Sequence, residues 1–510
     1  MKKSIGIGIT ALFLGLVFTA CYNDKGNYDY QKINEIAIGN LGERHDLVYK
    51  SDTLKIEPDL WFTDENREDE RYVFEWKAVP EFNNANPGGV IGHERNLKWP
   101  VELLPGMYYL YFKVFDKETG LMWREYTEID IKTAVSKGFL LIGENRDGST
   151  GVEMISLLEK DTVVIYDLMK DNGLPLLNGP RNIIHTGSSK WDAKIWVMTD
   201  EGSYYVNTST FQATMANDFQ SLIYTTYPLP SKTFPVDVAP RVNKETGQPA
   251  SNSSRLVLCE NGYSFFADLY SADIYANPTN RSSKAPEEFF KAFPTIIYSP
   301  GAWNYYMLYD QDQDRFLRAS STATAMTELA DKEGDKFPWN QAGTGRKLVY
   351  VENTRNNDGS TYGSSFALMK DSDNHFYIYK MYAHSGSKIN YYEIDPAVQL
   401  ADVHIFAFAS QRTFMFFAVG SVLYIYDYQN KQLKNQDLGD EITMLKFDIQ
   451  RGTEHYNDLY IATYNESTGG KLQVYTLDTN PNHIAVTPNE ACCWKNLIKI
   501  KTMDWRNSVY

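Results

Sequence analysis

The feature that most constrains this fold is a hairpin that recurs from residue 138 onward. Each copy is a short apolar run, a tight polar turn and a second apolar run. Residues 139–142 lead through Gly148 to residues 152–155. Residues 195–198 turn at Asp200-Glu201-Gly202 into 204–206, and 256–258 turn at Glu260-Asn261-Gly262 into 265–266. Further copies open at Met307, Phe366, Phe414 and Leu459. The spacing is roughly 45 to 60 residues, the range of propeller blades. Apolar runs of this length fit strands, and the glycine-containing turns supply the positive φ that tight hairpins need. One such hairpin cannot bury both faces by itself. Stacked neighbours can, and closing them into a ring protects the edges. The pattern predicts a β-propeller of about seven blades over residues 135–510, with 497–500 as a closing strand. Two stacked sandwiches are the competing arrangement, and the regular period favours the propeller. A single short helix is expected over 286–293, with Pro286 at its first position and Glu287 and Glu288 in its first turn.

Residues 34–134 have a different rhythm. Thr53 to Pro58 and Tyr72 to Lys77 alternate apolar and polar residues. A long strand over 107–115 follows Pro105-Gly106, and 123–131 reads as its hairpin partner. Many short strands with Trp76 on a middle one predict an immunoglobulin-like β-sandwich. No cysteine pair bridges it. The whole chain is therefore expected to be all-β.

The N-terminus fixes an address. Lys2 and Lys3 precede an apolar stretch over residues 5–17, too short for a membrane span and suited to a signal peptide. Phe18-Thr19-Ala20-Cys21 follows and resembles the lipobox of a bacterial lipoprotein. That resemblance implies removal of residues 1–20, lipidation of Cys21, and residues 21–33 as the lipidated N-terminus and tether. Cys21-Tyr22-Asn23-Asp24-Lys25, with Gly26-Asn27-Tyr28-Asp29-Tyr30 behind it, is similar to the start of the PKD-like lipoproteins of Bacteroides-type bacteria. Phe74-Glu75-Trp76 and the stretch from Pro105 to Asp116 fit that family's PKD-like domain. The resemblance implies an outer-membrane lipoprotein associated with SusC/SusD-type nutrient uptake, with surface display expected and the periplasmic face open. It implies no enzyme activity and no functional residue beyond Cys21.

Charge narrows the partners. The formal net charge is -15. Loss of Lys2 and Lys3 with the leader leaves 48 basic against 65 acidic residues, hence -17. Such a chain is a poor match for nucleic acid or an anionic membrane surface. Besides Cys21, the cysteines are Cys259, Cys492 and Cys493. Buried free thiols are the expectation, and a bridge from Cys259 to one of the adjacent pair stays open.

No catalytic motif is present. The eight histidines form no HExxH, and no GxSxG elbow occurs. Asp310-Gln311-Asp312-Gln313-Asp314 mimics a calcium loop, but Arg315 stands where the glycine is needed and Ser321 where the glutamate is needed. No metal and no cofactor are expected. Gly343-Thr344-Gly345-Arg346-Lys347 lacks the ending of a P-loop. Loop aromatics are the better candidates, because rings stack on apolar faces while neighbouring amides hydrogen-bond. They are Trp191, Trp303, Tyr305, Tyr306 and Trp339, with wedging between blades as the ordinary role for any one of them. The expected function is non-enzymatic binding of a glycan or peptide. A propeller glycoside hydrolase or lyase, with a carboxylate-lined pocket, and a transporter partner without a small ligand are the alternatives.

Overall fold

The structure is a computed structural model. It describes residues 34–63, 69–82, 86–158, 162–186, 193–239, 255–267, 274–300, 304–355, 362–478, 480 and 483–507. The leader, Cys21 and the tether lie outside them. The described residues are all-β apart from three single 3-10 turns, and the chain divides into two compact units after Ile131.

The first unit is the sandwich. Its larger sheet has five strands in the order Arg44–Val48, Met122–Lys132, Gly106–Asp116, Tyr72–Pro80, Gly89–Gly92. Two smaller pairs face it, Ile36–Gly39 with Asp59–Phe62 and Thr53–Ile56 with Leu97–Pro100. Alternation along Gly106–Asp116 sends Tyr108, Leu110, Phe112 and Val114 inward. They meet the wholly buried Trp76, whose ring centroid is 4.4 Å from that of Phe112. Its indole Nε1 donates to the Glu94 carbonyl at 3.0 Å, so the large ring is buried with its one polar atom satisfied.

The second unit is a seven-bladed propeller. Its inner strands, in order around the ring, are Lys499–Asn507, Pro180–Thr186, Pro235–Ala239, Ile297–Tyr298, Lys347–Asn353, Ile405–Phe408 and Glu441–Phe447. Each hairpin predicted from sequence is the pair of strands next to the inner strand of one blade, antiparallel in register, such as Phe366↔Lys380 and Phe416↔Ile425. Among the described residues there are seven apolar clusters in this unit, one at each blade boundary. At the Asn261-Gly262 turn, Gly262 has φ 86° and lies so close to Ala292 that a Cβ would come within 2.6 Å of its amide nitrogen.

Two expectations are corrected. The closing strand is Lys499–Asn507, not 497–500; it pairs with Lys137–Glu144 and completes the first blade, while Leu497 ends the outer strand of the seventh. Asp504 and Arg506 interrupt the apolar pattern that marks a strand in the sequence. The helix over 286–293 is instead the strand Ala285–Phe289, paired with Arg281–Ser282. The Arg281 guanidinium lies over the Phe289 ring and donates to the Pro286 carbonyl, holding that backbone extended.

An inner strand shows one edge to the axis, so its outward amides need acceptors. Neighbouring blades supply them as side chains. Asp504 Oδ2 accepts from the His185 amide at 2.9 Å, and Asp237 Oδ2 from Ile296 at 2.9 Å. Asn353 Oδ1 accepts from Tyr298 at 3.0 Å, Glu352 Oε2 from Phe408 at 2.6 Å, and Gln450 Oε1 from Trp505 at 3.1 Å. Burial pushes the Glu352 carboxyl up to about 8, against the hydrogen bonds it accepts from Phe408 and Tyr350 and the charge of Lys446.

Candidate functional site

A wall of aromatic side chains forms where blades four and five meet. Tyr305 opens the second strand of blade four, and Arg318 lies on the third. The Arg318 guanidinium sits 3.8 Å above the Tyr305 ring. It is held there by the Ala383 carbonyl, 3.0 Å from Nε, and the His384 carbonyl. His384 follows the third strand of blade five, and its amide donates to Ser299 Oγ at 3.3 Å. Its imidazole meets Tyr305 edge-on with centroids 5.7 Å apart, and the tilted Tyr362 ring lies 4.6 Å from it. Burial, reinforced by the Arg318 charge, lowers the His384 pKa and keeps the ring neutral. Tyr362 is 41% exposed. The result is an uncharged aromatic surface with a fixed cation behind it. Such a surface can stack on the apolar face of a sugar or on a peptide side chain.

The structure treats the sequence candidates differently. Trp191 and Trp303 lie outside the described residues. Tyr305 joins the wall. Tyr306 is wholly buried at the boundary of blades three and four, against Phe266 and Tyr298. Trp339 is buried at the next boundary, edge-on to Phe316 and Phe337. These two rings wedge blades together and offer no face to a ligand. His384 and Tyr362 were not visible as candidates, since one is a lone histidine and the other sits in a Gly/Ser-rich stretch. The sandwich carries a second aromatic surface that sequence reading missed. Tyr109, Tyr111 and Tyr126 share the outer face of the five-stranded sheet, with centroids 5.7 and 5.6 Å apart around Tyr126. The strict alternation of Tyr109 and Tyr111 with inward Tyr108 and Leu110 was the available signal.

At the other end of the ring, blades seven and one enclose a polar cleft of about 170 Å³ lined by Glu144, Asn145, Arg146, Glu153, Asn496 and Lys499, among others. Glu153 is buried and accepts from the Ile498 amide at 3.1 Å. Burial pushes its carboxyl up to about 7, with the Asp167 charge adding to the rise and the Ile498 hydrogen bond opposing it. A carboxyl there exchanges its proton near neutral pH, as a general acid or base must.

The calcium-like segment is a turn. Asp310 Oδ1 accepts from the amides of Asp312 and Gln313 at 2.9 and 3.2 Å, and Oδ2 pairs with Arg315 Nε at 2.9 Å. Among the described residues no group of three or more His, Cys, Asp or Glu could hold a metal ion. Cys259, Cys492 and Cys493 are free thiols, and burial raises the pKa of Cys259 well above its ordinary value. In the glycine-rich loop, Arg346 lies 3.7 Å over the Tyr377 ring and donates to the Tyr379 hydroxyl.

Residues 21–180 match the model of the PKD-like family. The match spans the sandwich and runs into the first blade. No curated protein matches the chain. Similar solved structures include a quinoprotein alcohol dehydrogenase-like protein of Bacteroides thetaiotaomicron, at 14% identity over 91% of this chain and 97% of that one, TM-score 0.37. The extracellular domain of a hybrid two-component system from the same bacterium is 12% identical over 87% of this chain, TM-score 0.41; the match spans 54% of that domain, about half its length. The periplasmic gluconolactonase of Pseudomonas aeruginosa is 11% identical over 72% of this chain and 99% of that one, TM-score 0.40. At these identities the likeness is one of fold alone. Among the described residues no helix is long and apolar enough to cross a membrane.

Proposed function

We propose that this protein is an outer-membrane lipoprotein, held by an acylated Cys21, whose propeller captures a glycan or peptide for a SusC/SusD-type uptake system. The sandwich acts as a spacer near the membrane. The observation that carries the binding role is the wall of Tyr305, His384 and Tyr362, with one ring 41% exposed and the imidazole kept neutral. A half-buried ring whose neighbours are fixed in place offers a ligand a preformed stacking face. The leader and its Cys21 junction support the anchor. The test is a mild-detergent pull-down of the tagged, lipidated protein, with affinity electrophoresis of the soluble chain in glycan gels and a peptide-binding screen. Retention by one glycan or peptide class, lost in Tyr362→Ala, together with recovery of the transporter pair, is expected. Recovery of the pair with no ligand retained would favour a purely structural partner. Recovery of neither would overturn the reading.

One observation favours a second reading, that of a hydrolase or lyase. Glu153 has a carboxyl that titrates near 7 in a cleft shared with Glu144. That reading requires turnover of a glycan that Glu153→Gln abolishes while the fold survives.

A further inference from the structure

The closing strand carries a charge that the ring does not answer. Arg506 is 1% exposed, and its Nε and Nη1 donate to no acceptor. Part-buried arginines elsewhere in the chain are paired with carboxylates. Arg315 meets Asp310 and Glu328, Arg451 meets Asp448, and Arg71 meets Asp116. Among the described residues no ion pair reaches Arg506, and burial alone pushes its guanidinium down to about 9. His185, on the inner strand of blade two, faces it across the boundary. It is 3% exposed and its Nδ1 has no partner. The Arg506 charge adds to burial in holding that imidazole neutral. The two strands are pinned at this point, because the His185 amide donates to Asp504 Oδ2, two residues before Arg506. On the adjoining boundary, Gln450 accepts from the Trp505 amide and leaves its Nε2 without an acceptor, and Trp505 Nε1 is likewise unpaired. The polar atoms left over around this end of the strand are therefore mostly donors.

We propose that the boundary between blades one and two binds a small monovalent anion of halide size, held by Arg506 against His185. Burying a guanidinium without a counter-charge costs several kcal/mol, and a dehydrated anion removes that cost. Neutral His185 can carry its proton on Nδ1 and donate it to the same ion. Both side chains are enclosed, so the site takes a small ion and excludes a carboxylate carried on a polymer. The ion fastens the strand that closes the ring, independently of what the aromatic wall binds.

The test uses the full chain. Thermal unfolding is followed in sodium chloride, sodium bromide and sodium gluconate at equal ionic strength, for wild type and Arg506→Met. The expected wild-type midpoint rises by about 2 °C per tenfold increase in halide above half-saturation and stays flat in gluconate. Arg506→Met, which removes the uncompensated charge and keeps the chain length, folds in all three salts and loses the halide rise. Crystals grown in bromide show an anomalous peak in contact with the Arg506 guanidinium. Equal wild-type midpoints in halide and gluconate, a halide rise that survives in Arg506→Met, or bromide peaks only elsewhere would each overturn the proposal.

Discussion

Trp76 and Asp504 are both buried near the centre of their units, and they hold those units together in opposite ways. Trp76 belongs to one continuous apolar core that fills the sandwich, reached by inward residues of all its sheets. Asp504 belongs to a polar ring, where side chains of one blade complete the backbone of the next. The propeller divides its apolar burial among seven boundaries, each walled by two blades. A sandwich thus concentrates its stability in a few large side chains. A propeller depends also on acceptors that meet the exposed amides of its inner strands.

Substitutions separate the two modes of stabilisation. Trp76→Ala has the largest expected effect, a loss of about 3–5 kcal/mol in denaturant unfolding, because it empties the centre of a single core. A loss under about 1 kcal/mol would mean that the sandwich has no such centre. Asp504→Ala comes next, at about 2–3 kcal/mol, since the buried His185 amide loses its acceptor. Asp504→Asn keeps an acceptor oxygen and should cost less than half as much; equal costs would show that charge, not amide satisfaction, matters at the ring.

Glu153 gives a pH-dependent contrast. Its folded carboxyl titrates near 7 against an ordinary value of 4.5. Between those values the folded state binds more protons than the unfolded chain, so this group's contribution to stability declines as pH rises from about 4.5 to about 7. Glu153→Gln should stabilise the protein by about 1–2 kcal/mol at pH 8 and leave it unchanged at pH 4. Urea midpoints at the two pH values check this, and an equal change at both would show that the carboxyl is not perturbed. The smallest effect on stability belongs to Tyr362→Ala, within about 0.5 kcal/mol, because the residue lies at the surface, 41% exposed, outside the apolar clusters of the blades. Its effect on ligand retention should be the large one. A stability loss above about 1 kcal/mol would make the aromatic wall a packing feature.

The hairpin strands next to each inner strand were legible in the sequence because both of their faces are buried between neighbours. Continuous apolar runs such as Leu256 to Leu258 and Phe414 to Ala418 report that burial directly. The inner strands were not legible. They carry Asp237, Glu352, Asn353 and Asp504, whose side chains accept from backbone amides of the neighbouring blade. Outer strands such as Gln432–Asp437, exposed at every residue, lack a periodic apolar face. The candidate site divided in the same way. Tyr305 was found as a loop aromatic, whereas His384 and Tyr362 come from separate connections of blade five and meet it only in the folded ring.

Local patterning by itself determined the all-β class, the sandwich with Trp76 on a middle strand, the hairpin period and hence the propeller, since each of these follows from how often apolar residues recur along the chain. Tertiary structure alone decided which residues share a boundary. It sent Tyr306 and Trp339 into the core, set Tyr305 beside His384, closed the ring with Lys499–Asn507, and buried Arg506 opposite His185. Those pairings join residues far apart in sequence, and short-range periodicity carries no information about which distant strand a given side chain will face.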